Sequence, residues 1–197
     1  MGKIKLEDYK YITYLIGAME APAEGDDGSS KRETLEKELK SRLVYPINPV
    51  QLEKYKINIS TDKAKQQMNQ LIKENKVSEF KDFSRLIWKG KYLIDKKYGL
   101  IHIPGDFDYV KMSDWVTFAY NKNDKCCGSF GEAFKSFDRE TPVYMITDYT
   151  EEEIVKNMKK SLLQCIHGSG GYIFRSIGDY LNFIENKYGV SIEQGRK

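Results

Sequence analysis

The chain is short of almost every residue that would announce a site by itself. It holds three cysteines, Cys126, Cys127 and Cys165. Two are adjacent and the third is distant, which excludes a disulfide framework and a CxxC metal pair. Reduced thiols and a cytoplasmic setting are the expectation. The two histidines, His102 and His167, are too few and too scattered for a zinc site, and neither a metal nor another cofactor is expected. No apolar run approaches the roughly 20 residues of a membrane span. The opening "MGKIKLEDYKYI" has no signal-peptide pattern, and Leu6 breaks the myristoylation pattern that Gly2 would begin. A membrane partner is therefore not expected. Charge of one sign is also missing: 32 basic residues stand against 29 acidic ones, mixed along the chain, without the basic stripe of a nucleic-acid surface. No GxxxxGK[ST] and no GxGxxG is present, and there is no repeat or low-complexity tract.

What is present describes a folded chain. Its 197 residues, 40% apolar and 13% aromatic, suit one domain over 1–197 with a full core. "YITYLIG" (11–17) is nearly continuous in apolar, β-branched and aromatic residues, the profile of a strand buried on both faces. "SSKRETLEKELKSRLV" follows as a helix, with Ser30 and Glu33 spaced as a capping box and Leu35, Leu39 and Leu43 on one face. "LVYPINPVQL", "WVTFAY", "PVYMIT" (142–147) and "YIFRS" read as further strands. "GSFGEAFKSF", "TEEEIVKNMKKSLLQ" and "IGDYLNFIENKYG" read as helices between and after them. This alternation predicts an α/β fold of the flavodoxin or Rossmann type, an open parallel sheet with helices on both faces. The charged stretch over about 55–99 reads as an inserted helical segment.

Ligands of such sheets bind outside the carboxyl ends of the strands, which draws attention to 17–20, 121–132 and 147–149. Glu132 follows "GSFG" after a strand, in what the pattern makes the first turn of a helix. The plain reading is an exposed glutamate favoured by the helix dipole. The functional one is a carboxylate aimed into the crevice, with Gly128, Ser129 and Gly131 leaving room for a substrate. Asp106, Asp108 and Asp114 precede the "WVTFAY" strand; they are turn formers and caps, or a carboxylate cluster that orients hydroxyl groups. Arg32, at a helix start, is a solvated surface residue or part of an anion site. Cys126 and Cys127 have no histidine close by in sequence to activate them, and "HGSGGY" (167–172) is a turn before it is a phosphate loop.

Taken together, "YLIGAME", "GDFDYVKMSDWVTFAYN" and "CGSFGEAFKSFDRETPVYMIT" resemble the nucleoside 2-deoxyribosyltransferase superfamily, in its phage-type and uncharacterised branches. The resemblance runs from Tyr11 to about Tyr188 and rests on the order and spacing of the three pieces. It implies a flavodoxin-like fold, a homo-oligomer, and cleavage of the N-glycosidic bond of a nucleoside or nucleoside monophosphate, with transfer to another base or to water. On it, Glu132 corresponds to the nucleophile, Asp106 to the aspartate that orients the sugar, and Tyr14 to the tyrosine that positions the glutamate. Gly17, Ala18 and Met19 fall on the base-side loop, while Asp114, Gly128, Ser129 and Arg32 become substrate contacts, the last two suited to a 5′-phosphate. Tyr14, Asp106 and Glu132 are then expected to share one pocket. Cys126 departs from the family's aspartate or serine, and Ser169 is the nearest match to the polar residue some members lend across a subunit interface. The alternative is a nucleotide-binding or sensing module that kept the fold without the chemistry.

Overall fold

A computed structural model of the chain describes residues 6–17, 29–49, 61–122, 124 and 127–192. In chain order its elements are β1 (Tyr11–Gly17), α1 (Ser29–Lys40), β2 (Val44–Ile47), α2 (Thr61–Lys73) and α3 (Val77–Lys89). Then come β3 (Lys91–Asp95), β4 (Gly99–Ile103), α4 (Asp106–Met112), β5 (Trp115–Ala119), α5 (Cys127–Asp138) and β6 (Val143–Ile146). The last four are α6 (Glu151–Asn157), α7 (Lys160–Gly168), β7 (Tyr172–Phe174) and α8 (Ile177–Tyr188). They divide into two compact units, Met1–Asn48 with Val110–Lys197, and Pro49–Tyr109. The second unit contains the segment expected as an insertion over about 55–99.

The first unit is built on a parallel sheet in the order β2-β1-β5-β6-β7. Counting only its own strands this is 2-1-3-4-5, the flavodoxin-type order, with the switch point between β1 and β5. Side chains alternate across it. Leu15, Trp115, Tyr144 and Ile146 form one core with Leu35 and Leu39 of α1 and Tyr180, Leu181 and Ile184 of α8. The side chains between them, among them Tyr14 and Val116, point to the other face, where α5 packs on β1, β5 and β6 and α7 packs on β6. Helices therefore cover both faces, as the alternation predicts.

The α1/α8 core is largely aromatic and carries its own polar chain. Thr13 Oγ1 donates to the Trp115 carbonyl at 3.0 Å and lies 2.9 Å from Thr117 Oγ1, which sits 2.7 Å from the Tyr180 hydroxyl. Trp115 Nε1 donates to that same hydroxyl at 3.0 Å. Every buried polar group in this set has a partner, which is what burial demands. Nearby, Lys187 Nζ donates to the Tyr144 hydroxyl, itself 2.7 Å from that of Tyr188.

This core fixes a pH dependence. Burial, above all, raises the phenols of Tyr144, Tyr180 and Tyr188 over their ordinary value of 10.0. The unfolded chain releases these protons near pH 10, so above that pH the folded state holds more protons and loses stability as pH rises. Urea midpoints measured from pH 8 to 11 should be flat at first and fall above about pH 10; no fall would show that these hydroxyls are not buried as described.

Two elements differ from the sequence expectation. The inserted segment is not helical throughout: after α2 and α3 it ends in an antiparallel hairpin, β3 with β4. Its turn is closed by Asp95, whose Oδ1 accepts from the amides of Lys97 and Tyr98 at 2.7 and 2.9 Å, and by Gly99 at φ 75°. The high charge of "KGKYLIDKKYG" hides the turn in a helix-like composition. The helix expected over 150–164 is two helices, α6 and α7, parted at Met158 and Lys159, both extended. The two-way capping box forms at Thr150 and Glu153, whereas Ser30 lies inside α1, which starts at Ser29.

Candidate active site at the sheet switch point

The site is assembled by β1 and α5. Ser129, Glu132, Ala133 and Ser136 lie at i, i+3, i+4 and i+7, one face of a helix, and all four are buried. Three of them are small, so α5 comes close to the sheet, and Glu132 is the one long side chain that must fit between. Tyr14 projects from β1 toward the same face, and its hydroxyl donates to Glu132 Oε1 at 2.5 Å. At the carboxyl end of β1, Ser129 Oγ donates to the Gly17 carbonyl at 2.9 Å and pins the start of α5 to the strand. Ser136 Oγ donates to the Glu132 carbonyl at 2.8 Å.

Glu132 therefore differs from the expected first-turn, exposed glutamate. It is the sixth residue of α5 and is only 4% exposed. A carboxylate so far from water requires donors, and the short charge-assisted bond from Tyr14 is of the strong kind. The arrangement fixes the carboxylate's position between β1 and α5.

Gly17 is needed for packing: a Cβ there would meet the Ala119 carbonyl oxygen at 2.7 Å across the β1–β5 pair. Gly17→Ala should accordingly lower stability by about 1–3 kcal/mol, read as a drop in urea midpoint; an unchanged midpoint would mean the strands separate freely there. Ser129 spends its only proton on Gly17, so its hydroxyl serves the helix start and is not a ready donor to a phosphate. Arg32 is 5% exposed and engaged within the protein, which corrects the solvated-surface reading. Asp114 Oδ2 accepts from the Ile12 amide at 2.7 Å, and its own amide donates to the Ile12 carbonyl. Those bonds join the amino ends of β1 and β5, opposite the end where ligands bind, so Asp114 is corrected from a substrate contact to a strand tie. Gly128 is half-buried in the first turn of α5. Asp106 opens α4 and is buried, but it belongs to the second unit. There Asp108 Oδ2 accepts from the Gly105 amide and lies 3.5 Å from His102 Nε2. Ala18, Met19 and Cys126 lie outside the described residues. Ser169 Oγ donates to the Ile166 carbonyl and accepts from the Val143 amide, a structural use that leaves it buried in its own chain.

One recess escaped the sequence reading in part. A cavity of about 190 Å³ opens at the carboxyl ends of β5, β6 and β7, walled by Leu35, Ala119, Ile146 and Ile177. Its polar groups include Asn121, Asp148 and Arg175. The strand ends at 121 and 147–149 were legible; Arg175, three residues before a glycine in a short strand's exit, carried no signal. Among the described residues no cluster of three or more His, Cys, Asp or Glu is arranged to hold a metal ion, and no helix is long and apolar enough to cross a membrane. Compared with known proteins, the chain matches no family model, no curated sequence and no solved structure.

Proposed function

We propose that the protein cleaves the N-glycosidic bond of a 2-deoxynucleoside or its monophosphate, using Glu132 as the nucleophile. The observation that carries the reading is the Tyr14–Glu132 hydrogen bond at the switch point of a flavodoxin-type sheet. The order of the three sequence pieces supplies the rest of the support. A Glu132 carboxylate oxygen attacks the anomeric carbon while the carbon–nitrogen bond breaks toward the base, which takes up a proton as it leaves. The product is a sugar ester of Glu132. A nitrogen of a second base, or a water, then attacks the same carbon, loses its proton, and frees the carboxylate, the two-step logic of retaining glycosidases. Tyr14 positions the carboxylate and shares its charge. Asp106 is assigned to the sugar hydroxyls on the resemblance alone, and a homo-oligomer likewise.

The burial of Glu132 favours a second reading, a binding module in which the Tyr14–Glu132 pair is only a satisfied polar contact in the layer under α5. A panel of deoxynucleosides and their monophosphates, with and without an acceptor base, separates the two. Free base in water alone marks a hydrolase, and a new nucleoside marks a transferase. Binding without turnover across the panel would defeat the enzymatic reading and leave the module.

A further inference from the structure

The hairpin of the second unit presents an apolar face that the proposed activity does not use. Ile94 stands opposite Leu100, and Tyr92 opposite His102, with the last two rings stacked at 4.5 Å. These four side chains share one face. Ile94 is 88% exposed, Leu100 69% and Tyr92 67%. Exposed apolar residues are ordinary when scattered; three on one small sheet face mark an interaction surface. A lone two-stranded hairpin is also marginal in water without a further strand or cover. Among the described residues β3 pairs only with β4, so its outer edge offers an open row of backbone donors and acceptors.

The sequence of that edge says what fits it. β3 reads Lys91-Tyr92-Leu93-Ile94-Asp95. Laid antiparallel against a second copy of itself and centred on Leu93, it sets Lys91 opposite the copy's Asp95 at both ends. It also sets Tyr92 beside the copy's Ile94. Opposite charges and an aromatic with a β-branched residue are both favourable cross-strand pairs. An acidic or basic peptide strand would leave one of the two end charges facing its like, whereas this chain answers both. We propose that β3 is a self-pairing edge, through which two copies of this chain join their hairpins into one four-stranded antiparallel sheet. Ile94 then lies between Leu100 of its own chain and Tyr92 of the copy. The interface is small, so the association is weak and concentration-dependent. It stands apart from the glycosidic reading and from any other oligomer contact.

Sedimentation of the full chain over about 1–100 μM, the range of a small interface, tests the idea. The weight-average mass should rise with concentration, and Ile94→Lys should remove that rise, with an unchanged circular dichroism spectrum because Ile94 is 88% exposed. Position is tested by Leu93→Cys: on the two-fold axis the two thiols face one another at the roughly 5 Å of cross-strand Cβ atoms. Under mild oxidation this variant should form a linked dimer at least ten times faster than wild type, whose native cysteines give the background, and than Lys91→Cys, which does not face itself. A mass that stays monomeric throughout, an assembly unaffected by Ile94→Lys, or Leu93→Cys linking no faster than Lys91→Cys would each overturn the proposal.

Discussion

Glu132→Gln should abolish base release while leaving the fold intact. The amide keeps the shape of the side chain, and its oxygen still accepts the Tyr14 hydroxyl that now donates to Glu132 at 2.5 Å. Stability should therefore change by no more than about 1 kcal/mol. On the proposed mechanism the substitution removes the nucleophile, a loss that falls on the transition state, so turnover should drop on the order of 10³-fold or more. Glu132→Ala is the poorer variant. Because Glu132 is buried, truncation takes an acceptor from the Tyr14 hydroxyl and opens a gap beneath α5, at a cost of about 1–3 kcal/mol. Comparing base release and melting for both variants separates chemistry from folding. If Glu132→Gln retains full activity, Glu132 is a packing residue and the mechanism fails.

The largest effect on stability should come from Trp115→Ala. Trp115 is wholly buried. Its ring stacks on Tyr188 at 4.4 Å between centroids and lies within 5.8 Å of Tyr11 and 6.1 Å of Tyr144. Removing it leaves a cavity at the centre of the α1/α8 core and takes the Nε1 donor from Tyr180. Such truncations cost about 3–5 kcal/mol, a large share of the 5–15 kcal/mol that holds a typical domain together. Trp115→Phe should cost markedly less, since it keeps most of the ring volume and loses mainly the hydrogen bond. Urea unfolding of the three proteins checks the order. A midpoint for Trp115→Ala close to wild type would mean that the aromatic core is not the keystone described.

The sheet was the readable part of the sequence because its strands are buried on both faces. "YITYLIG" and "WVTFAY" are nearly continuous in apolar and aromatic residues, each broken by one threonine, and the observed strands fall within them. The hairpin was hidden because it contains Lys91, Lys96 and Lys97, and charge in that density looks like an exposed helix. Only Gly90 and Gly99, both at positive φ, marked the bends. The site was half legible. Spacing after a glycine-rich start led to Glu132, but its burial could not be read, since Ser129, Ala133 and Ser136 carry no hydrophobic pattern. Small residues there signal close approach of helix to sheet, a tertiary fact. Asp114 misled for a related reason. An aspartate just before a strand looks the same in sequence whether it ties two strand ends or faces a substrate. Arg32 shows the reverse case, a charge whose burial depends on which way α1 faces.

The proposed mechanism requires Glu132 to become bonded to the sugar. It is tested most directly by quenching the protein with acid during a single turnover of a deoxynucleoside that it cleaves, without acceptor base, then weighing the intact chain and mapping its peptides. A species heavier by one deoxyribosyl group is expected, with the added mass on the peptide that contains Glu132, absent from Glu132→Gln. Base released on the same time course with the added mass on another residue, or with no added mass at any quench time, would contradict it.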